Sequence, residues 1–180
     1  MNILYLTVST GGGHTTSARA MENYVKDHGA KTYFLDVYGY IHPMFGKAVS
    51  EIYLFASGKT PKLYGKLYDK EEFENGKFVN VVATLNSTIK HKIKKFILKH
   101  EIDVVVCTHI FSAQIITLIK DKINTKNIGI VTDYTLHPNW ETTDMDYYVV
   151  ADESLVSVCK KRGIAEEKIY FVFGKVLYPL

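Results

Sequence analysis

An α/β fold, a parallel sheet with helices on both faces, is predicted by three features of this chain. Strand-like and helix-like segments alternate along most of its length, which is the pattern of βαβ units. The strand candidates are short, rich in β-branched and aromatic residues and free of breakers, as expected of buried strands. The first of them runs directly into Ser9-Thr10-Gly11-Gly12-Gly13-His14 and a helical pattern, the start of a Rossmann-like domain.

In order along the chain, residues 2–8 read as the first strand and 15–28 as a helix with Ala18, Met21 and Val25 on one face. A second strand is predicted over 32–37. Residues 39–76 fit the alternation poorly, with Pro43, Pro61, five glycines and a broken amphipathic pattern around 48–55. This stretch is expected to be an insertion at the carboxyl end of the second strand, where doubly wound folds place ligand-binding excursions. Several of the thirteen tyrosines and nine phenylalanines fall there. A helix over 78–100, strands over 104–108, 128–132, 147–150 and 169–173, and helices over 113–122 and 153–162 complete the pattern. Ser112 is expected to cap the helix beginning at Ala113.

The 180 residues suit one well-buried domain, residues 1–180. With 47% hydrophobic residues and a mean hydropathy of −0.04, the chain reads as soluble and globular. No run approaches the roughly 18 apolar residues of a membrane span. The N-terminus begins a strand rather than a signal peptide. Cys107 and Cys159, far apart in sequence, suggest reduced structural thiols in a cytoplasmic protein. A net charge of +3 gives no argument for nucleic acid as a partner. The charge is nonetheless uneven: Lys90, His91, Lys92, Lys94, Lys95, Lys99 and His100 crowd one helix beside apolar Ile89, Ile93, Phe96 and Ile97. That helix is either a solvated element whose cations offset its dipole or a face drawn to an anionic membrane surface.

The glycine loop is the first chemical concentration. A strand, three glycines and a helix start bring backbone N–H groups together, and His14 adds a group that carries a proton near neutral pH. Three glycines are expected to let the backbone turn where a Cβ would clash. The loop has neither the dinucleotide spacing G-x-G-x-x-G nor the Lys-Ser/Thr of a P-loop. The second concentration follows the strand over 128–132, with Asp133, His137 and Trp140, the only tryptophan, within eight positions. Residues just past the carboxyl ends of parallel strands gather at one edge of the sheet. His14, Asp133, His137 and Trp140 are therefore expected to share one cleft, and His109 after Thr108 points to the same edge. His28 and His42 read as ordinary helix-end and loop residues. No ligand spacing for a metal, no G-x-S-x-G elbow and no activated cysteine is present.

These residues resemble a known family. Gly11-Gly12-Gly13-His14 and the following helix resemble the start of monogalactosyldiacylglycerol synthases and bacterial processive diacylglycerol glucosyltransferases. Thr132-Asp133 with His137 and Trp140, then Asp146-Tyr147-Tyr148-Val149-Val150-Ala151, is similar to the second signature of that family. Val104-Val105-Val106-Cys107-Thr108-His109 matches its pattern of a strand followed by Thr-His. The resemblance implies the N-terminal half of a GT-B glycosyltransferase, inverting and metal-independent, with UDP-glucose or UDP-galactose as donor and no further cofactor. It implies that this half holds a diacylglycerol acceptor, that His14 is the base and that Asp133 orients or polarises it. Gly11, Gly12, Gly13, His109, His137 and Trp140 would line the acceptor side. A C-terminal donor-binding domain, in cis or in trans, would be the partner, and the inner face of the cell membrane the location. Two other functions stay open: a non-catalytic binding module for a lipid or membrane surface, and an unrelated α/β protein whose glycine loop grips phosphate.

Overall fold

The computed structural model describes residues 1–9, 12–41 and 89–171. Its six strands are β1 (Asn2–Thr7), β2 (Lys31–Asp36), β3 (Val104–Cys107), β4 (Lys126–Val131), β5 (Tyr147–Val150) and β6 (Ile169–Phe171). They form one sheet in the order β2-β1-β3-β4-β5-β6, and every neighbouring pair is parallel. The helices are α1 (Gly13–Asp27), α2 (Val37–Ile41), α3 over residues 89–99, α4 (Ile110–Thr117) and α5 (Glu153–Lys161).

The order of the strands dictates where the helices lie. From β1 the chain moves outward to β2, then returns past β1 to β3 and continues the other way. Right-handed crossovers in opposite directions put their helices on opposite faces. Accordingly Ala18, Met21 and Val25 of α1 pack on Ile3, Tyr5, Val106 and Ile130. Ile89, Ile93 and Ile97 of α3 join Ile115 and Ile116 of α4 and Leu155 of α5 against Leu4, Leu6, Val105 and Cys107 on the other face. Glu22 is buried under α1, held by Arg19 at 2.7 Å, Lys26 at 2.8 Å and the Thr32 hydroxyl at 3.0 Å. Those partners hold its carboxyl below its usual range against the opposing effect of burial.

The reversal also creates a crevice between the carboxyl ends of β1 and β3, where open α/β sheets bind ligands. Six strands and four of the five helices follow the expected order. The helix expected over 113–122 instead starts at Ile110, ends at Thr117 and is followed by a 3-10 turn at Lys120–Lys122. Five-residue α2 was not expected, because it is too short to show a helical repeat. Of the insertion expected over 39–76, residues 42–76 lie outside the described residues, as do residues 78–88 of the long helix. Both cysteines are free and buried, and burial raises both thiols, Cys107 to about 12.

Candidate functional site

The switch-point crevice is built from strand ends that share one face. Side chains alternate along a strand, so Thr7, Thr108 and Thr132 continue the rows of Ile3 and Tyr5, of Val106, and of Ile130 that pack under α1. Polar residues thus replace apolar ones at the sheet's edge, below the first turn of α1. The hydroxyls of Thr7, Thr15 and Thr108 are buried there without a hydrogen-bond partner among the described residues.

His14 lies in that first turn, because α1 begins at Gly13 rather than at Thr15 as expected. Its Nδ1 is 2.8 Å from the carbonyl oxygen of Thr108 and 2.6 Å from the hydroxyl of Thr132. A carbonyl only accepts, so Nδ1 carries a proton, and in the neutral ring Nε2 is the nitrogen with the lone pair. The imidazole is fixed from below by two residues that sequence reading had placed only at strand ends. Their signal was the alternation that carries the α1-facing rows out to the edge of the sheet.

The glycines behave differently from expectation. Gly12 is in an ordinary right-handed helical conformation, and among the described residues a Cβ on Gly12 or Gly13 would meet nothing within 4 Å. Among the described residues, neither a left-handed backbone nor a packing contact requires glycine at these two positions. Both are exposed, so the space their missing side chains leave lies on the open side, next to His14. Gly11 is outside the described residues.

His109 precedes α4 in an extended conformation and caps it: the Phe111 N–H donates to its Nδ1 at 3.1 Å. Ser112, expected to be the cap, is inside the helix and its hydroxyl donates to the His109 carbonyl at 2.6 Å. The extended backbone of His109, not that of Ser112, breaks the helix. The rings of His14 and His109 meet edge to face with centroids 4.6 Å apart. His109 is buried, and burial, then the neighbouring His14 and His137, push its pKa down to about 3. It is therefore neutral under ordinary conditions, with its proton on Nε2.

His137 repeats this device at the 3-10 turn Pro138–Thr142, where its Nδ1 accepts the Asn139 N–H at 3.1 Å. Burial lowers its pKa, with Arg162 adding to the effect and Asp133 opposing it. Asp133 is exposed, and among the described residues no hydrogen bond joins it to His14. Its charge acts on His137 instead. Trp140 is not on the crevice wall. It is 2% exposed, packs in the core, meets Tyr148 edge to face, and lies where a Cβ on Gly129 would be 2.8 Å from its ring. The structure thus brings His14, His109 and His137 together, leaves Asp133 at the rim and puts Trp140 behind the site.

Asp36 at the end of β2 went unnoticed in the sequence. Its two oxygens accept the N–H groups of Ser9, at 2.6 Å, and Gly39, at 2.7 Å. An acid at a parallel strand's carboxyl end was the available signal.

Comparison with known proteins identifies the family. The family described as Monogalactosyldiacylglycerol (MGDG) synthase matches residues 14–176. A processive diacylglycerol beta-glucosyltransferase of Bacillus cereus (strain 03BB102) is 26% identical over 176 residues, covering 93% of this chain and 43% of the relative. Proteins of the same name from Bacillus thuringiensis (strain Al Hakam) and Bacillus anthracis (strain A0248) are each 25% identical over the same shares. The chain spans less than half the length of these relatives. With the match running from His14 through the last described strand, the chain belongs to the monogalactosyldiacylglycerol synthase family.

Proposed function

We propose that this chain is the acceptor-binding half of a glycolipid-forming glycosyltransferase, with His14 as the general base. The observation that carries this is the state of His14. Nδ1–H is anchored on Thr108 and Thr132, so Nε2 offers its lone pair beside the open backbone of Gly12 and Gly13. The acceptor would be diacylglycerol, since the relatives are named for it. Its hydroxyl proton passes to Nε2 of His14 while the hydroxyl oxygen bonds to the anomeric carbon of a UDP-sugar. The bond from that carbon to the UDP oxygen breaks, and UDP leaves with the electron pair. Attack opposite the leaving group inverts the carbon, in keeping with the beta-glucosyl product in the relatives' name. No step in this scheme draws on a metal. A donor-binding half, in cis or in trans, would hold the UDP-glucose or UDP-galactose in line, because transfer needs both reactants fixed together.

The substrate lies in a bilayer, which gives α3 a role. His91, Lys94, Lys95 and Lys99 surround Leu98, which is 57% exposed, along a shallow groove. Cations around one apolar side chain suit an anionic lipid surface, each contributing about 1 kcal/mol when close to it. No helix among the described residues is long and apolar enough to cross a membrane, so contact here would be peripheral.

Flotation of the chain with phosphatidylcholine vesicles, with and without diacylglycerol, tests the acceptor assignment. Saturable binding that needs diacylglycerol is expected. Binding of free UDP-sugar with indifference to the lipid would sink it and favour a phosphate cradle. Mixing the chain with the C-terminal half of the Bacillus cereus relative, with labelled UDP-glucose or UDP-galactose, then tests transfer, which His14→Ala should abolish.

A further inference from the structure

We propose that His109 is the fixed hydrogen-bond donor of this site, its Nε2–H binding the acceptor hydroxyl oxygen whose proton His14 removes. The inference rests on the acceptor reading above and gives it a second imidazole with a distinct task.

Backbone groups set the two rings as opposites, a carbonyl at one Nδ1 and an N–H at the other. His14 gives its Nδ1 proton to the Thr108 carbonyl, which leaves Nε2 as an acceptor. The very next residue, His109, receives the Phe111 N–H on Nδ1, which leaves Nε2 as a donor. Neither Nε2 has a hydrogen-bond partner among the described residues. The rings stand edge to face with centroids 4.6 Å apart, and the proposal puts one hydroxyl oxygen between their two Nε2 atoms. A hydroxyl has one proton and two lone pairs. Its proton would go to His14, one lone pair would accept from His109, and the second would face the anomeric carbon.

A donor in this place is useful only if the ring stays neutral with its one proton on Nε2, so that it neither repels the charge His14 acquires nor turns its lone pair to the hydroxyl. Two features ensure that. The α4 cap occupies the nitrogen that protonation would need, and burial opposes a charge on the ring. The groups facing His109 from other elements, His14 from α1 and His137 from the turn after β4, both disfavour its charging. The crevice therefore holds one base rather than two competing ones.

Two substitutions separate this role from simple helix capping. His109→Asn keeps an oxygen at the Nδ1 position to accept the Phe111 N–H but has nothing at the Nε2 position. His109→Gln puts an amide N–H where Nε2–H was and gives up the cap. Binding of the chain to phosphatidylcholine vesicles containing diacylglycerol is the readout, with triacylglycerol, which lacks the hydroxyl, as control. Nitrogen-15 spectra of histidine-labelled chain report the tautomers. The expected result is about tenfold weaker binding in the Asn variant, the scale of one directional hydrogen bond, and recovery of most of it in the Gln variant. No difference is expected with triacylglycerol. His109 should keep its proton on Nε2 from pH 5 to 8.

Loss in the Gln variant alone, equal loss in both, or no loss in either would overturn the proposal and leave His109 a helix cap. So would a spectrum showing the proton on Nδ1. If the unaltered chain ignores diacylglycerol, the acceptor reading falls and this inference with it. Binding by the unaltered chain with no advantage of Gln over Asn refutes the role of His109 only.

Discussion

Asp36 and Ser9 are joined across two strand ends: the carboxylate accepts the Ser9 N–H at 2.6 Å, and its other oxygen accepts that of Gly39 at 2.7 Å. The same side chain thus holds Ser9, just past β1, and the first turn of α2. A Cβ on Gly39 would come 3.1 Å from the carboxylate, so the first turn of α2 fits closely against it.

Asp36→Ala is expected to cost about 1–3 kcal/mol, since two backbone donors lose a charged acceptor. Urea unfolding measures the loss. Amide exchange at Ser9 and Gly39 should quicken together while strand amides of β4 stay protected; unchanged exchange at either would refute the clamp.

Thr132→Val removes one of the two oxygens at His14 Nδ1 and leaves the Thr108 carbonyl. Loss of one such contact predicts sugar transfer slower by about tenfold. The unfolding midpoint should barely move, because the Thr132 side chain is only half-buried. A large fall in stability with intact transfer would assign Thr132 to packing.

Gly129 and Trp140 form one close contact in the core. Gly129→Ala forces the indole to move and should cost about 1–3 kcal/mol, while Trp140→Ala should cost about 3–5 kcal/mol. Thermal unfolding of each single variant and of the pair tests the contact. Because the two residues touch, the double variant should cost less than the sum.

His109 gives the chain a defined acid response. Its folded pKa, about 3, lies below the ordinary 6.5, so on the way down from pH 6.5 the unfolded chain takes up a proton that the folded chain refuses. Stability from this group is complete above pH 6.5 and falls by up to about 1.4 kcal/mol per pH unit below it. In His109→Gln that slope should flatten, even though the loss of the cap lowers stability at neutral pH. An unchanged slope would mean that another group governs acid unfolding.

Lys94→Glu, Lys95→Glu and Lys99→Glu together should release the chain from vesicles rich in phosphatidylglycerol, and added salt should do the same to the unaltered chain. Binding that ignores both changes would remove α3 from the membrane contact.

The alternation of buried runs and helical patterns determined the sheet, its parallel sense and nearly every element, because strand and helix periods are local properties. The rule that parallel strands present their carboxyl-end loops at one edge puts His14, His109 and His137 together from the sequence alone. Local pattern also found the family through its glycine loop and its strand-end histidines. Side-chain direction was decided only by tertiary packing. Trp140 turns into the core because Gly129 opens a slot for its ring, and nothing in the sequence near Trp140 announces a partner eleven residues earlier on β4. The anchoring of His14 by Thr132, across 118 residues, and the opposite tautomers of His14 and His109 are likewise products of the assembled sheet. A hydrogen bond between distant strand ends depends on register and height above the sheet, which no single segment encodes.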